Sequence, residues 1–271
     1  MAQWSLHRRF SAGLDPLAFP LLARRAFAIE AVEYVSRFYA ERVHDIFFLA
    51  ELKRRCDGEG VRSVLIMCDD EGALGDPDGG RRTQAVENHL KWIDAALFLG
   101  CHSIRVNAAS QGARQEQMRL AADGLRRLAE LAGKSAINVL VENHGGFSSD
   151  ASWLADTLRL VDHPRIGALP DFGNFQISET ECYDPYEGVR QLMPFAKGVS
   201  AKCYDFDTAG NETSLDFPLL LAIVLEAGYD GHIGIEYEGE RLSETEGIGA
   251  AKALLQRLSG RAAGKPITGT I

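Results

Sequence analysis

Three acidic residues stand at or just after the ends of short apolar runs in the second half of the chain: Asn138-Val-Leu-Val-Glu142-Asn-His, Gly167-Ala-Leu-Pro-Asp171-Phe-Gly-Asn and His232-Ile-Gly-Ile-Glu236-Tyr-Glu-Gly. A carboxylate that ends a buried strand lies at one rim of a sheet, where its charge is costly unless a cation or a substrate compensates it. Three carboxylates in the same position point to one shared site. Polar residues hold the equivalent positions on or after the other runs: His7, Glu33, Asp69, Asp70, Asn107, His144, Asn174, Lys202 and Glu238. Carboxylates with one imidazole and no cysteine cluster suit Mg²⁺ or Mn²⁺ better than a thiolate-bound zinc.

These residues need a scaffold, and the chain supplies a regular one. Apolar runs of strand length alternate with segments of helical period from end to end. Strands are expected at Trp4–His7, Ala31–Tyr34, Ser63–Met67, Ser103–Val106, Asn138–Val141, Ile166–Leu169, Val199–Ala201 and Ile233–Ile235. Helices are expected at Pro16–Ala26, Val43–Glu59, Arg81–Leu99, Gln115–Ala132, Ser149–Val161, Pro185–Met193, Phe217–Ala227 and Glu244–Leu258. Gly100, Gly133, Gly228 and Gly260 sit at or past later helix ends, where a left-handed residue closes a helix. Eight βα units in 271 residues have the length and rhythm of a closed (β/α)8 TIM barrel of the α/β class, expected to span 1–271 as one domain. An open doubly wound sheet is the competitor, but no Gly-x-Gly-x-x-Gly turn follows the first run. In a barrel the C-terminal strand ends form the reaction face, which is where the acidic residues fall.

Composition narrows the class. A net charge of −9 and scattered basic residues argue against a nucleic-acid partner, because phosphate-backbone binding needs clustered Lys and Arg. No apolar run approaches the length of a bilayer span, so no membrane partner is expected. The N-terminal stretch lacks the basic-then-apolar pattern of a signal peptide, and the five cysteines have no metal-binding spacing, which together give the expectation of a cytoplasmic protein. Phe47-Phe48 and the Tyr34–Tyr39 stretch are candidates for a homo-oligomer interface. Asp69-Asp70-Glu71 reads as a solvated loop, and Glu238 as part of an exposed loop after the last strand.

Glu142 in Val-Glu-Asn-His, Asp171 in Asp-Phe-Gly-Asn, the Ser200-Ala-Lys202 segment and Glu236 in Ile-Glu-Tyr-Glu-Gly resemble the metal-site strands of the xylose-isomerase-like TIM-barrel superfamily, which includes sugar phosphate isomerases and epimerases, inosose dehydratases and endonuclease-IV-like proteins. The resemblance covers essentially the whole chain in order and spacing. It implies a divalent metal, Mn²⁺ or Mg²⁺, on the positions of Glu142, Asp171, Ser200 and Glu236. Two positions depart from the pattern. Ser200-Ala-Lys202-Cys203 stands where the family usually reads His-x-Lys-Asp, and Asn174 stands where many relatives have a histidine. A serine hydroxyl is a poor substitute for imidazole, so the expected ligands reduce to Glu142, Asp171 and Glu236.

The chemistry implied is proton abstraction next to a carbonyl through an ene-diolate, giving an isomerase or epimerase of a sugar or keto-sugar. By analogy Glu142 and Glu236 are the acid/base pair, and Lys202 stabilises the developing oxyanion, unless it serves only in a structural ion pair with Asp205 or Asp171. His144, Arg105, Asn107, Asn174 and His7 are candidates for orienting substrate hydroxyls. The acidic loops after the last two strands favour an uncharged sugar, keto-sugar or cyclitol over a phosphorylated one. Two other readings stand beside this one: a lyase or hydratase on a keto-sugar, keto-glycoside or cyclitol, for which the missing histidine and Lys202 speak, and a non-catalytic sugar-binding barrel.

Overall fold

Five parallel strands run side by side in chain order: β1 (Ala31–Val35), β2 (Arg62–Met67), β3 (Ser103–Asn107), β4 (Asn138–Glu142) and β5 (Ile166–Leu169). A small antiparallel hairpin, β6 (Gln176–Ser178) and β7 (Glu181–Cys182), follows and was not foreseen from the sequence. The parallel pair β8 (Val199–Cys203) and β9 (Ile233–Tyr237) continues the main sheet, joined to it by the Ala168–Ala196 and Asp171–Ser200 bridges. This computed structural model describes residues 1–262; residues 263–271 of the expected domain lie outside the described residues.

The ring closes between β9 and β1, and there the sequence reading needs correction. Trp4–His7 is not a strand: Gln3–Leu6 form a 3-10 turn that runs into the short helix α1 (His7–Ser11). Met1 and Ala2 hold the seam instead. The Ala2 amide donates to the Ile235 carbonyl at 2.9 Å, and the Glu33 amide donates to the Met1 carbonyl at 3.0 Å. Side chains then take over from the backbone. The Gln3 amide oxygen accepts from the Val35 N–H at 3.0 Å, while the Ser5 hydroxyl donates to Ile235 O and accepts from Tyr237 N, both at 3.0 Å. Those bonds satisfy the strand edges without an extended segment, which frees Trp4–His7 to coil.

Helices α2 (Phe19–Phe27), α3 (Ile46–Glu59), α4 (Gly79–Asn88), α5 (Leu90–Leu99), α6 (Arg114–Gly133), α7 (Ala151–Val161), α8 (Pro185–Leu192), α9 (Phe217–Glu226) and α10 (Glu244–Ala262) complete the (β/α)8 barrel. Asp45, Asp78, Asp150, Asp184 and Asp216 start α3, α4, α7, α8 and α9, each accepting a first-turn N–H with its carboxylate. The expected helix Arg81–Leu99 is two helices that meet at His89. Both halves hold Glu71: Asn88 donates to its carbonyl at 3.1 Å, and the Trp92 indole donates to its carboxylate at 2.6 Å. Glu71 is therefore buried rather than part of a solvated loop. Gly100 and Gly228 adopt the expected left-handed conformation, whereas Gly133 and Gly260 lie inside their helices.

Alternation along the strands separates two environments. Val32, Tyr34, Ile104, Val106, Val139, Val141, Ala201, Ile235 and Tyr237 join the large core shared with the helices. A smaller apolar cluster that includes Ala31, Val35, Leu65, Met67, Leu140 and Leu169 fills the other side of the strands, the barrel interior. Glu33, Arg105, Glu142, Lys202 and Glu236 share the strand parity of that interior cluster. Register puts Glu142 level with Asn107 and Glu236 level with Lys202, while Arg105 pairs with Met67 and Leu140 and Glu33 with Leu65, one step deeper. Apolar residues thus plug the barrel and charged ones crown it. Tyr34, Tyr39 and Phe48 stack edge-on and tilted in the buried core, so of the expected interface only Phe47 and Arg37 are exposed, with Ile46 beside Phe47. Among the described residues no helix is long and apolar enough to cross a membrane.

Candidate active site

Glu142, the last residue of β4, Asp171, two residues beyond β5, and Glu236 on β9 come together at the C-terminal end of the barrel. One carboxylate oxygen from each lies within 4.8 Å of the other two, and all three residues are buried. The turn after β5 holds Asp171 in place. Its Oδ1 accepts from Gly173 N at 2.8 Å and Asn174 N at 2.9 Å, while Asn143 brackets its backbone, accepting from Asp171 N at 2.8 Å and donating to Asp171 O at 3.0 Å. Asp171 Oδ2 is buried with no hydrogen-bond partner.

Two cations flank the carboxylates. The Arg105 guanidinium donates to Asp69 Oδ1 at 2.8 Å, and its Nε lies 2.8 Å from Glu142 Oε2. The latter is a charge contact without hydrogen-bond geometry, so Glu142 Oε2 also lacks a donor. Lys202 Nζ lies 3.5 Å from Glu236 Oε1 and 3.3 Å from Glu238 Oε2, and it donates to Asn174 Oδ1 at 3.0 Å. Asn174 in turn donates to Glu142 Oε1 at 3.1 Å, which links the lysine to the far carboxylate through one amide. The expected alternative partners of Lys202, Asp205 and Asp171, are not its ion-pair partners; Asp205 pairs with Arg241. Gly173 keeps the turn clear, since a Cβ there would lie 3.0 Å from Lys202 Cδ and 2.5 Å from the Tyr204 hydroxyl.

Electrostatics follow from this burial. Desolvation pushes the Glu142 carboxyl up to about 7 against the pull of Arg105, with Glu236 adding repulsion. Desolvation likewise pushes Asp171 up to about 7 against Lys202, with Glu142 and Glu236 repelling it. Burial works to lower Lys202, but Asp171, Glu236, Glu142 and Glu238 outweigh it and raise the ammonium well above its ordinary value. His144 is held below its ordinary value by burial and then by Arg105 and Lys202, so it is a neutral imidazole near pH 7. Glu33 is a further buried acid in the barrel interior, pushed up to about 7 by desolvation and repelled by Glu236; Gly234 makes room for it, because a Cβ there would collide with its carboxyl.

A cavity of about 270 Å³ opens on the cluster, walled by Asp69, Arg105, Asn107, His144, Glu236 and Glu238, with Trp4 at its edge. Of the residues expected from the sequence, Arg105, Asn107, His144 and Glu236 line this space, while Glu142, Asp171, Asn174 and Lys202 are linked to it through the bonds above. His7 does not line it. It stacks on Trp4 at 4.9 Å, its Nδ1 2.8 Å from the Trp4 carbonyl, because its segment is helical. Three residues were undervalued. Asp69, read as loop, anchors Arg105 and Asn107; Glu238, read as exposed, pairs with Lys202 and accepts from the Trp4 indole. Trp4 was placed inside a strand. The signal for Asp69 was available, since it follows β2 as Asp171 follows β5.

The donor set suits a hard divalent cation: three carboxylates, two of them with buried oxygens that no protein donor satisfies. The Ser200 hydroxyl donates to Glu236 Oε2 at 2.9 Å and orients that carboxylate.

A family model described as xylose isomerase-like TIM barrel matches residues 22–258, which include every strand from β1 to β9. The chain belongs to that family. The fold superposes on 3-keto-D-glucoside 4-epimerase from E. coli with a TM-score of 0.72 at 15% identity, covering 90% of this chain and 94% of that one. It also superposes on a xylose isomerase-like TIM barrel protein from Mycobacterium smegmatis in complex with magnesium, with a TM-score of 0.69 at 18% identity over 92% and 90% of the two chains. A C-glycoside deglycosidase alpha subunit from Arthrobacter globiformis is 35% identical over 60 residues, a segment that spans 22% of this chain and 17% of that protein.

Proposed function

We propose that this protein is a divalent-metal-dependent isomerase or epimerase of a sugar or keto-sugar that moves a proton at the carbon next to a carbonyl. The observation that carries the reading is the buried trio Glu142, Asp171 and Glu236 at the end of a cavity sized for a single sugar ring. Those three residues would hold the metal, which when bound supplies Lewis-acid polarisation of the carbonyl and its neighbouring hydroxyl.

The chain's own residues do the rest. Glu142 and Glu236 come from strands separated in the ring by β5 and β8, so a substrate seated over the cluster would meet a carboxylate from each side. One removes the proton and the other returns it. The Lys202 ammonium is fixed by Asn174 and two carboxylates, and supports the oxyanion that develops as the proton leaves. Arg105, Asn107 and His144 face the cavity as orienters of hydroxyls, and Asn174 acts through Lys202 and Glu142.

Elimination is the second reading, in which the same proton removal expels a group β to the carbonyl. Two observations favour it: Ser200 stands on β8 where an imidazole ligand is usual, and a 60-residue stretch is 35% identical to a C-glycoside deglycosidase alpha subunit. Incubation of the Mn²⁺-loaded protein with keto-sugars and keto-glycosides in D2O, followed by mass analysis, separates the two. Epimerisation or isomerisation conserves the heavy atoms and gains one deuterium, whereas elimination releases the substituent. Sugar binding without exchange or release in any of them would leave a non-catalytic barrel and overturn both readings.

A further inference from the structure

A second cavity lies at the other end of the barrel. It encloses about 580 Å³ among the segments that lead into β2, β3, β8 and β9. Four basic residues line it: Arg62 at the start of β2, His102 just before β3, Lys197 before β8 and His232 before β9. Asp230 is the sole acid on its wall among the described residues. In a chain that carries 38 acidic residues against 29 lysines and arginines, a concave site lined by Arg62, Lys197 and two imidazoles with a single acid runs against the overall trend.

Among the described residues none of the four basic groups takes part in an ion pair. Lys197 donates only to neutral oxygens, the Pro164 carbonyl at 2.6 Å and Asn138 Oδ1 at 3.4 Å. The backbone accommodates this lysine at Gly167, where a Cβ would sit 2.9 Å from its Cδ and Cγ. Gly231 makes a similar concession to Tyr229, whose hydroxyl donates to the His232 carbonyl at 2.9 Å and fixes the turn that carries that imidazole. The groups also sense one another. Burial and then Arg165 hold Lys197 below its ordinary value, burial and Lys197 lower His102, and burial followed by Arg62 lowers His232. An anion in the cavity would relieve all of these repulsions at once.

We propose that this cavity binds a phosphate group, either free phosphate or the phosphate of a monoester, held by Arg62 and His232 with Lys197 and His102 alongside. The site is separate from the carboxylate cluster and does not depend on what reaction occurs there. Arg62 supplies the planar fork that suits phosphate oxygens, and Tyr229 and Met193 offer apolar wall for the remainder of an ester.

Thermal shift and calorimetric titration of the full chain with inorganic phosphate, glucose 6-phosphate and glucose test this, at constant ionic strength set with chloride. We expect saturable stabilisation by phosphate and the phosphate ester but not by glucose, weakened about fivefold or more in both Arg62→Gln and His232→Gln. Retention of the effect in Lys202→Met would separate this cavity from the carboxylate end. Tighter binding of the ester than of inorganic phosphate would identify a phosphomonoester as the ligand; equal binding would identify phosphate itself. A response no larger than that to chloride, or one unchanged in both variants, would overturn the proposal.

Discussion

Three buried carboxyls, Glu33, Glu142 and Asp171, are each raised to about 7, and each therefore keeps its proton in the folded chain over a range where the unfolded chain has lost it. Where the folded state binds more protons, stability falls as pH rises. We expect the metal-free protein to lose stability between about pH 4.5 and 7, the interval between the ordinary carboxyl values and the raised ones. Glu33 isolates the effect, because it holds no place among the three clustered carboxylates. Glu33→Gln should leave the Tm at pH 5 nearly unchanged and raise it at pH 8; an equal change at both pH values would show that Glu33 is not protonated in the fold. The catalytic proposal is also a residue-scale claim. Removing the titratable oxygen in Glu142→Gln should lower turnover by at least about a hundredfold with binding of the sugar retained. Lys202→Met should lower kcat more than it raises KM, and unchanged kinetics would reduce that lysine to a structural ion pair.

At the scale of elements, the loop after β4 and the turn after β5 are locked together by one side chain. Asn143 uses both its amide oxygen and its amide nitrogen on the Asp171 backbone and donates also to Asn174 O, while Ser149 donates to that same carbonyl at 2.8 Å. Asn143→Ala would leave a buried N–H and carbonyls short of partners at a cost of about 2 kcal/mol, and a fall in Tm of roughly 4–8 °C is expected in a thermal scan. A Tm within error of wild type would mean the two segments are held by other contacts. Elements were also where the sequence was easiest to read. Strands β1 to β5, β8 and β9 follow from apolar runs that stop at polar residues, and helical periodicity places the starts of α8, α9 and α10 at Pro185, Phe217 and Glu244. The seam was not legible. Trp4-Ser-Leu-His alternates polarity over only one turn, which serves a strand or a coil equally, and the deciding bonds from Gln3 and Ser5 reach residues 32 and 230 positions away. The ion pairs of Asp69 and Glu238 were not legible for the same reason, since the cations that pair with them come from other strands.

Across the whole molecule, charge is sorted along the barrel axis. Carboxylates compensated by Arg105 and Lys202 gather at the C-terminal strand ends, an apolar plug of Leu65, Leu140 and Leu169 fills the middle, and basic residues surround the opposite mouth. Under the two proposals, the acidic end takes a cation and a neutral sugar, and the basic end takes an anion. The candidate site was legible because its three carboxylates stand at or just after strand ends in matching positions; the basic cavity was not, because Arg62, His102, Lys197 and His232 are separated by tens of residues and share no motif. The central claim is that Glu142, Asp171 and Glu236 hold one divalent cation. Titration of chelator-treated protein with Mn²⁺, followed by electron paramagnetic resonance, tests it most directly. One saturable site in the wild type, weakened more than about tenfold in Glu236→Gln, is the result this account predicts; no bound Mn²⁺, or the same affinity in the variant, would contradict it.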